Sequence, residues 1–410
     1  MLTPEYLSSF AAEYLGMVDN LNEQIVRDIA RRMMKTGRVT DTAKWQIKQA
    51  QESGKLLDDI ASEVGKFTGY SNKHVRELFK DAGVTGIKND SKPLLNAGII
   101  SDVKLSKHMS DLLLANAKKT AGDINNLTMT TAVKSQQLYM QSLNEAFLKT
   151  QSGAFSYQEA LKCAVRKAAK SGGIVLYKSN AQMSIDAALR MALLTGINQT
   201  SATLTELYAE EMDAEYYETT AHAGARLEHT YWQGKVFKIH GEGNGYRNFY
   251  EATGYGTVTG LCGVNCRHSF SPFWPGISTP AYTNEMVKDY SAPKVKYGGK
   301  DLTEYECSQI QRRYERNIRE SKRILCGYDS AMQNASDAEA EQFWKEEFQK
   351  EAVELKRKEK KLKEFCSETG RNVDTARTQV YAVKDQNGNI VNYGRSTSMK
   401  AVWANRKANK

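Results

Sequence analysis

The chain has 410 residues, a formal net charge of +9, 40% hydrophobic residues, 26% charged residues and only six prolines. That length calls for two or three folding units, and abundant charge with little proline favours helix over loop-rich β architecture. No run of about 18 apolar residues occurs, so no helical membrane span is expected. Six cysteines scattered over so long a chain do not make a disulfide framework.

The opening MLTPEYLSSFAAEYLG carries Glu5 and no basic stretch ahead of an apolar core. It reads as mature sequence rather than a signal peptide, and with the cysteine pattern it points to synthesis in a reducing cytoplasm. The positive charge is a modest excess, compatible with an acidic partner or nucleic acid, but no motif for sequence-specific DNA reading accompanies it.

Residues 1–155 are predicted as a helical N-terminal arm. Leu7, Phe10, Tyr14, Val18, Leu21, Ile25, Ile29 and Met33 recur every three or four positions, giving a helix over 4–35 lightly broken at Gly16. Thr3 caps it, Pro4 opens it and Gly37 closes it. Glycines and polar turns then divide the next stretch into short helices over 42–51, 56–67 and 72–81. Residues 93–150 read as one or two longer helices.

Residues 156–218 are predicted as a helical connector. Ser156 caps a helix that stops at Gly172–Gly173. A long amphipathic helix follows, burying Ile185, Ala188, Leu189, Ala192 and Leu193, with Asp186 one turn from Arg190 as its expected ion-pair partner. Residues 283–370 are expected to form a coiled-coil-like helical hairpin. Its second helix spaces Phe348, Ala352, Leu355, Leu362 and Cys366 by fours and threes, and a turn lies between Gly327 and Ala335. Residues 371–410 read as a β-hairpin around Asn387–Gly388 followed by a basic tail.

Between these arms, residues 219–282 have a different character. This stretch holds four of the six histidines, Cys262 and Cys266, Trp232 and Trp274, and many glycines. Four readings compete. Cys262, Cys266 and His268, with His222 or His229, have donor types suited to zinc. Cys266 and His268, two apart, share one side of an extended strand. A Cys/His nucleophile pair has the residue types but no local protease or transferase signature. A His-Asn-His nuclease turn is suggested by NCRHSFSPFWPG, but no histidine follows His268. The fourth is structural: an aromatic core of Trp232, Phe237, Phe249, Tyr250, Tyr255, Phe270, Phe273 and Trp274, strands at TYWQGKVFKIH and CRHSFSPF, and Cys and His as packing or a staple.

AHAGARLEHTYWQGKVF and FYEATGYGTVTGLCGVNCRHSFSPFWPGIS together resemble the phage minor capsid protein 2 family of tailed bacteriophages and prophages, itself related to Mu F-like head-morphogenesis proteins. The likeness extends to DAALRMALLTGINQTSATL and to TAKWQIKQAQESGKLLDDIA. It departs at Arg226-Leu227-Glu228-His229, where Arg-Pro-x-His is expected. The resemblance implies a structural, non-enzymatic virion component made in the bacterial host cytoplasm. It would be present in a few copies near the portal vertex and would act in head assembly and DNA packaging or delivery. The implied partners are the portal protein, the major capsid or scaffold protein and packaged double-stranded DNA bound without sequence preference, with no membrane. No catalytic residue carries over. The alternative is a Cys/His or metal-dependent nuclease, hydrolase or transferase carried in the virion. The expected fold is mainly α, with long helical arms, a small α+β module rich in glycine and aromatics, and a C-terminal β-hairpin. The candidate ligands, for zinc, are His222, His229, Cys262, Cys266 and His268.

Overall fold

The computed structural model describes residues 1–9, 12–38, 42–177, 179–374, 377–378 and 400–401. The hairpin expected around Asn387–Gly388, and nearly all of the basic tail, lie outside the described residues.

Helices dominate. The first, α1 (Pro4–Ser9), starts as expected: the Tyr6 amide donates to Thr3 Oγ1 at 3.2 Å, with proline at the first helical position. Helix α2 (Ala12–Thr36) runs unbroken through Gly16 and buries Tyr14, Val18, Leu21, Ile25, Ile29 and Met33.

The expected short helices over 42–81 are instead one 49-residue helix, α3 (Thr42–Asp90). Its buried positions (Trp45, Gln49, Ser53, Leu56, Ile60, Val64, Phe67, Ser71, Val75, Phe79, Ala82) keep helical spacing throughout. One glycine in an interior turn costs only about 1 kcal/mol. Continuous packing of the stripe outweighs Gly54, Gly65 and Gly69 together. Two further glycines of α3 serve as contacts: Gly83 faces Leu113 and Leu204, and Gly86 faces Ser201.

Helices α4 (Lys92–Asn96), α5 (Lys107–Gln151) and α6 (Tyr157–Ser171) follow, α6 capped by Ser156 through the Glu159 amide. Strands β1 (Ile174–Leu176) and β2 (Gln182–Ser184) form an antiparallel hairpin leading into α7 (Ile185–Glu211). The next strands, β3 (Tyr216–Thr219), β4 (Val236–Lys238) and β5 (Phe270–Phe273), make an antiparallel sheet in the order β4-β3-β5. A 3₁₀ turn at Leu227–His229 and α8 (Phe249–Thr253) lie between its strands in sequence. After α9 (Asn284–Ser291), strands β6 (Val295–Tyr297) and β7 (Lys300–Leu302) form a hairpin ahead of the helical pair expected over 283–370. Gly298 and Gly299 both take positive φ there, which suits a two-residue reversal. Helices α10 (Glu304–Gln333) and α11 (Ala338–Glu368) follow.

The chain divides into two compact units. One gathers Met1–Ala12, Ser71–Ile124 and Arg190–Ile310, and contains the three-stranded sheet. Its sheet-side core joins Tyr217, Trp232, Phe237, Phe249, Leu261 and Phe270. Phe249 and Phe270 lie 4.8 Å apart in edge-to-face contact, and Tyr217 lies 4.9 Å from Phe249.

The other unit gathers Glu13–Tyr70, Asn125–Leu189 and Gln311–Lys410. Trp45 of α3 stacks on Phe147 of α5 at 5.2 Å, and Tyr314 of α10 meets Phe365 of α11 at 5.6 Å. The turn between α10 and α11 comes later than expected. Gly327 lies within α10, packed toward Val165 and Ala169, and Asp337 caps α11. Asp186 pairs with Arg319 at 3.0 Å. That partner lies on α10, outside the helix of Asp186, where the apolar spacing gave no sign of it. No helix among the described residues is long and apolar enough to cross a membrane.

Candidate metal centre

The site is built from two short segments. The 3₁₀ turn ends on His229, and the backbone amides of Trp232 and Gln233 both bond its carbonyl, which turns its ring inward. The second segment is the extended run before β5, where residues two apart face the same way. This brings Cys266 and His268 to one side, as expected.

A rigid loop positions that run. Leu261 N bonds Thr253 O, and Val264 N bonds Val258 O. At Gly260 the backbone passes against the carbonyl of Gly254, and an added Cβ would overlap it. Cys262 and Asn265 both adopt φ of 57°. Asparagine tolerates that region, but a cysteine there stores about 1 kcal/mol or more of strain. Arg226 Nη2 donates to Val264 O at 2.7 Å and Arg267 Nη2 to Gly224 O at 3.3 Å, clamping the segments together.

Three ligand atoms converge. His229 Nδ1 and His268 Nδ1 are 3.4 Å apart, and Cys266 Sγ lies 3.5 Å from His268 Nδ1 and 3.9 Å from His229 Nδ1. Zinc–nitrogen bonds of about 2.0–2.1 Å and zinc–sulfur bonds of about 2.3 Å at a tetrahedral angle separate ligand atoms by about 3.3 Å and about 3.6 Å. The group therefore has nearly the spacing of a zinc site.

Hydrogen bonding decides which ring nitrogens carry protons. The His222 amide donates to Gln233 Oε1 at 3.1 Å, fixing that atom as an acceptor. His268 Nε2, 3.1 Å from the same oxygen, must then donate. His229 Nε2 likewise donates to the Thr259 carbonyl at 2.9 Å. In the neutral rings both Nδ1 atoms are left as lone pairs facing one another. The Cys266 thiol proton can satisfy only one of them. A cation satisfies both, and outer partners of this kind are the usual companions of metal-bound histidines.

Burial holds the rings neutral. His268 is pushed well below the ordinary histidine range by burial and by His222 and His229 beside it. His229 is lowered chiefly by burial, and burial raises the Cys266 thiol. A bound cation would reverse the cost for the thiol, which then deprotonates to ligate.

His222 and Cys262 sit at the edge of this group. The His222 ring stacks on His268 at 4.3 Å, and its buried Nε2 has no hydrogen-bond partner among the described residues. Burial, then Arg267, lowers its pKa to about 3. Cys262 is buried with Sγ 3.6 Å from the His268 carbonyl. His240, the module's other histidine, is exposed and apart from the group.

Sequence reasoning passed over Asn198, whose Nδ2 donates to the carbonyls of Cys266 and His268 at 3.2 and 3.0 Å, and over Gln233. For Asn198 a signal existed: it is a polar residue next to Ile197, on the buried side of a helix otherwise lined by Ala188, Leu189 and Leu193. At the position where the resemblance led to the expectation of proline, the backbone keeps a compatible path. Arg226 holds φ −63° and ψ 154°, the extended conformation preferred before proline, so Leu227 enters the 3₁₀ turn along the path a proline would take.

A mainly helical chain with a small three-stranded sheet in one of its units, and a buried His-Cys-His group beside that sheet, is thus the class of protein defined by fold and site. Compared with known proteins, residues 2–367 match the family described as Phage minor capsid protein 2, and the chain belongs to that family. A structural protein of Lactococcus phage LL-H is 25% identical over 300 residues, covering 69% of this chain and 76% of that protein. No solved structure matches the chain.

Proposed function

We propose that the chain is a structural minor component of a tailed-bacteriophage head, stationed near the portal vertex and acting in head assembly and in DNA packaging or delivery. The observation that carries this is the family match across nearly the whole chain. The name of the Lactococcus phage relative supports it. The portal protein is its main partner, with the major capsid or scaffold protein and packaged DNA behind it. It is made in the host cytoplasm and resides in the particle. Maps of particles with and without the chain test the placement: extra density confined to the portal vertex is expected, and density spread over all vertices would contradict it.

In this reading the His-Cys-His group binds zinc as a structural staple. His229, Cys266 and His268 supply three ligands, and His222, with its unpartnered buried Nε2, supplies the fourth. Cys262 is the other nearby donor. The ion would fix the 3₁₀ turn to the run before β5, two segments that share few backbone bonds.

A second reading starts from the same three converging ligands. Catalytic zinc sites also use three protein ligands, so if His222 does not bind, a metal-dependent hydrolase, transferase or nuclease carried in the virion is the alternative. Substituting His229→Asn separates the two. A structural staple loses fold stability, whereas an enzyme loses a measurable activity at unchanged stability.

A further inference from the structure

Within the unit that holds Asp186 and Arg319, helices α2 and α10 border a cavity of about 20 Å³. One water needs about 10–15 Å³, so the space admits a single small solute and leaves no room for a tetrahedral oxyanion. Asp19, Asn22 and Glu23 line it from α2, and Arg319, Lys322 and Arg323 line it from α10. Positions three and four apart on a helix are neighbours, so each helix presents its three side chains on one face.

Donors and positive charge are in excess there. Glu23 is taken by Arg27 at 3.0 Å, and Arg319 takes Asp186 at 3.0 Å. Lys322 is 5% exposed and its Nζ donates to the Thr378 carbonyl. Arg323 donates from Nε to the Ala169 carbonyl at 3.2 Å and from Nη2 to the Lys170 carbonyl at 3.0 Å. Among the described residues neither Lys322 nor Arg323 is paired with a carboxylate, and the buried Nε of Arg319 has no hydrogen-bond partner. Asn22 is 3% exposed. Its Oδ1 accepts from the Gly173 amide at 2.7 Å, which fixes the side chain so that Nδ2 is the remaining donor, and among the described residues that donor has no acceptor. Buried donors without acceptors are costly, and buried cations without counter-charge more so.

We propose that this cavity binds one small monovalent anion of the size of chloride, held by Arg319 Nε and Asn22 Nδ2 and by the charges of Lys322 and Arg323. The ion supplies the acceptor that both donors lack, offsets the cationic excess and ties α10 to α2. Asp19 tunes the affinity, because its charged carboxylate repels the ion. Burial raises that carboxyl to about 7, and the charged groups acting on it are Arg319, Lys322 and Arg323 on α10 and Asp186 at the start of α7, with Glu23 beside it on its own helix. The site stands whatever the place of the chain in the particle.

The test uses the full chain in gluconate buffer at about pH 8, where Asp19 is mostly charged, at constant ionic strength. Chloride is titrated in, and the chloride NMR line width reads exchange of the ion with a protein site. The expected result is broadening that saturates, that bromide displaces and that sulfate leaves in place. Two near-isosteric substitutions should then move the affinity in opposite directions. Asp19→Asn removes a negative charge and should tighten binding about tenfold, whereas Asn22→Asp adds one and should weaken it about tenfold. Asn22→Asp keeps the acceptor for the Gly173 amide. Cooperative thermal unfolding no more than about 4 °C below wild type in gluconate shows that the fold is intact. Should Asn22→Asp unfold, Lys322→Gln replaces it, since it keeps a donor for the Thr378 carbonyl, and it too should weaken binding about tenfold. Broadening that never saturates, displacement by sulfate, or substitutions that shift the affinity in one direction or not at all would overturn the proposal.

Discussion

At the scale of single residues, the geometry turns on two lone pairs, His229 Nδ1 and His268 Nδ1, which face one another at 3.4 Å with Cys266 Sγ beside both. Protein purified without chelator should carry close to one equivalent of zinc by elemental analysis. Cys266→Ser and His268→Asn should each fall below about a tenth of an equivalent, because a three-ligand remainder binds far more weakly. Zinc retained by both variants would place the ion elsewhere. A second prediction concerns Asp19 in the other unit. Burial raises its carboxyl to about 7, with Asp186 adding to the shift and Arg319 opposing it. The folded chain then holds more protons than the unfolded one between about pH 4 and 7, so this group's contribution to stability declines as pH rises through that window. Asp19→Asn should be more stable than wild type at pH 8, with the excess shrinking toward pH 4. Urea midpoints across that range check it, and a pH-independent difference would contradict the assignment.

Elements show best what was legible. The Thr3 and Ser156 caps, the helix over 157–171 and the helical pair at the C-terminal end follow directly from capping residues and apolar spacing. Helix α3 was misjudged because glycine was read as a breaker, although the buried stripe never lost its period. The short strands β1, β2 and β3 were illegible for another reason. At three or four residues they offer no alternation to detect, and the pattern of β3 is buried throughout. Of the candidate site, the donor residues were visible, since Cys266-x-His268 is a local feature. Their convergence with His229 closes a sequence separation of 37 positions that runs through β4 and α8, which no spacing encodes. A glycine pair tests the distinction between permissive and required positions. Ala at Gly54 or Gly65, with nothing within 4 Å of the new Cβ, should stabilise by about 0.5–1 kcal/mol. Ala at Gly260 should destabilise by about 1–3 kcal/mol through overlap with the Gly254 carbonyl. Denaturant titration decides, and equal effects at the two kinds of position would show that the loop can yield.

For the whole molecule, family membership and the build of the chain agree. Long helices with ion pairs such as the buried Arg32–Glu52 at 2.8 Å and the half-buried Arg27–Asp329 at 2.7 Å suit a component that must hold its form inside an assembly. Such pairs contribute little net stability, but removing one partner leaves the other charge buried and uncompensated. In the reading proposed above, the His-Cys-His group adds a local staple where glycine-rich loops replace helix. The central claim, that this is a structural component of the phage particle, is tested most directly by quantitative mass spectrometry of purified DNA-filled heads. The expected result is this chain at a constant, low stoichiometry relative to the portal protein. Its absence from those heads, with normal abundance in the lysate of the same culture, would contradict the claim.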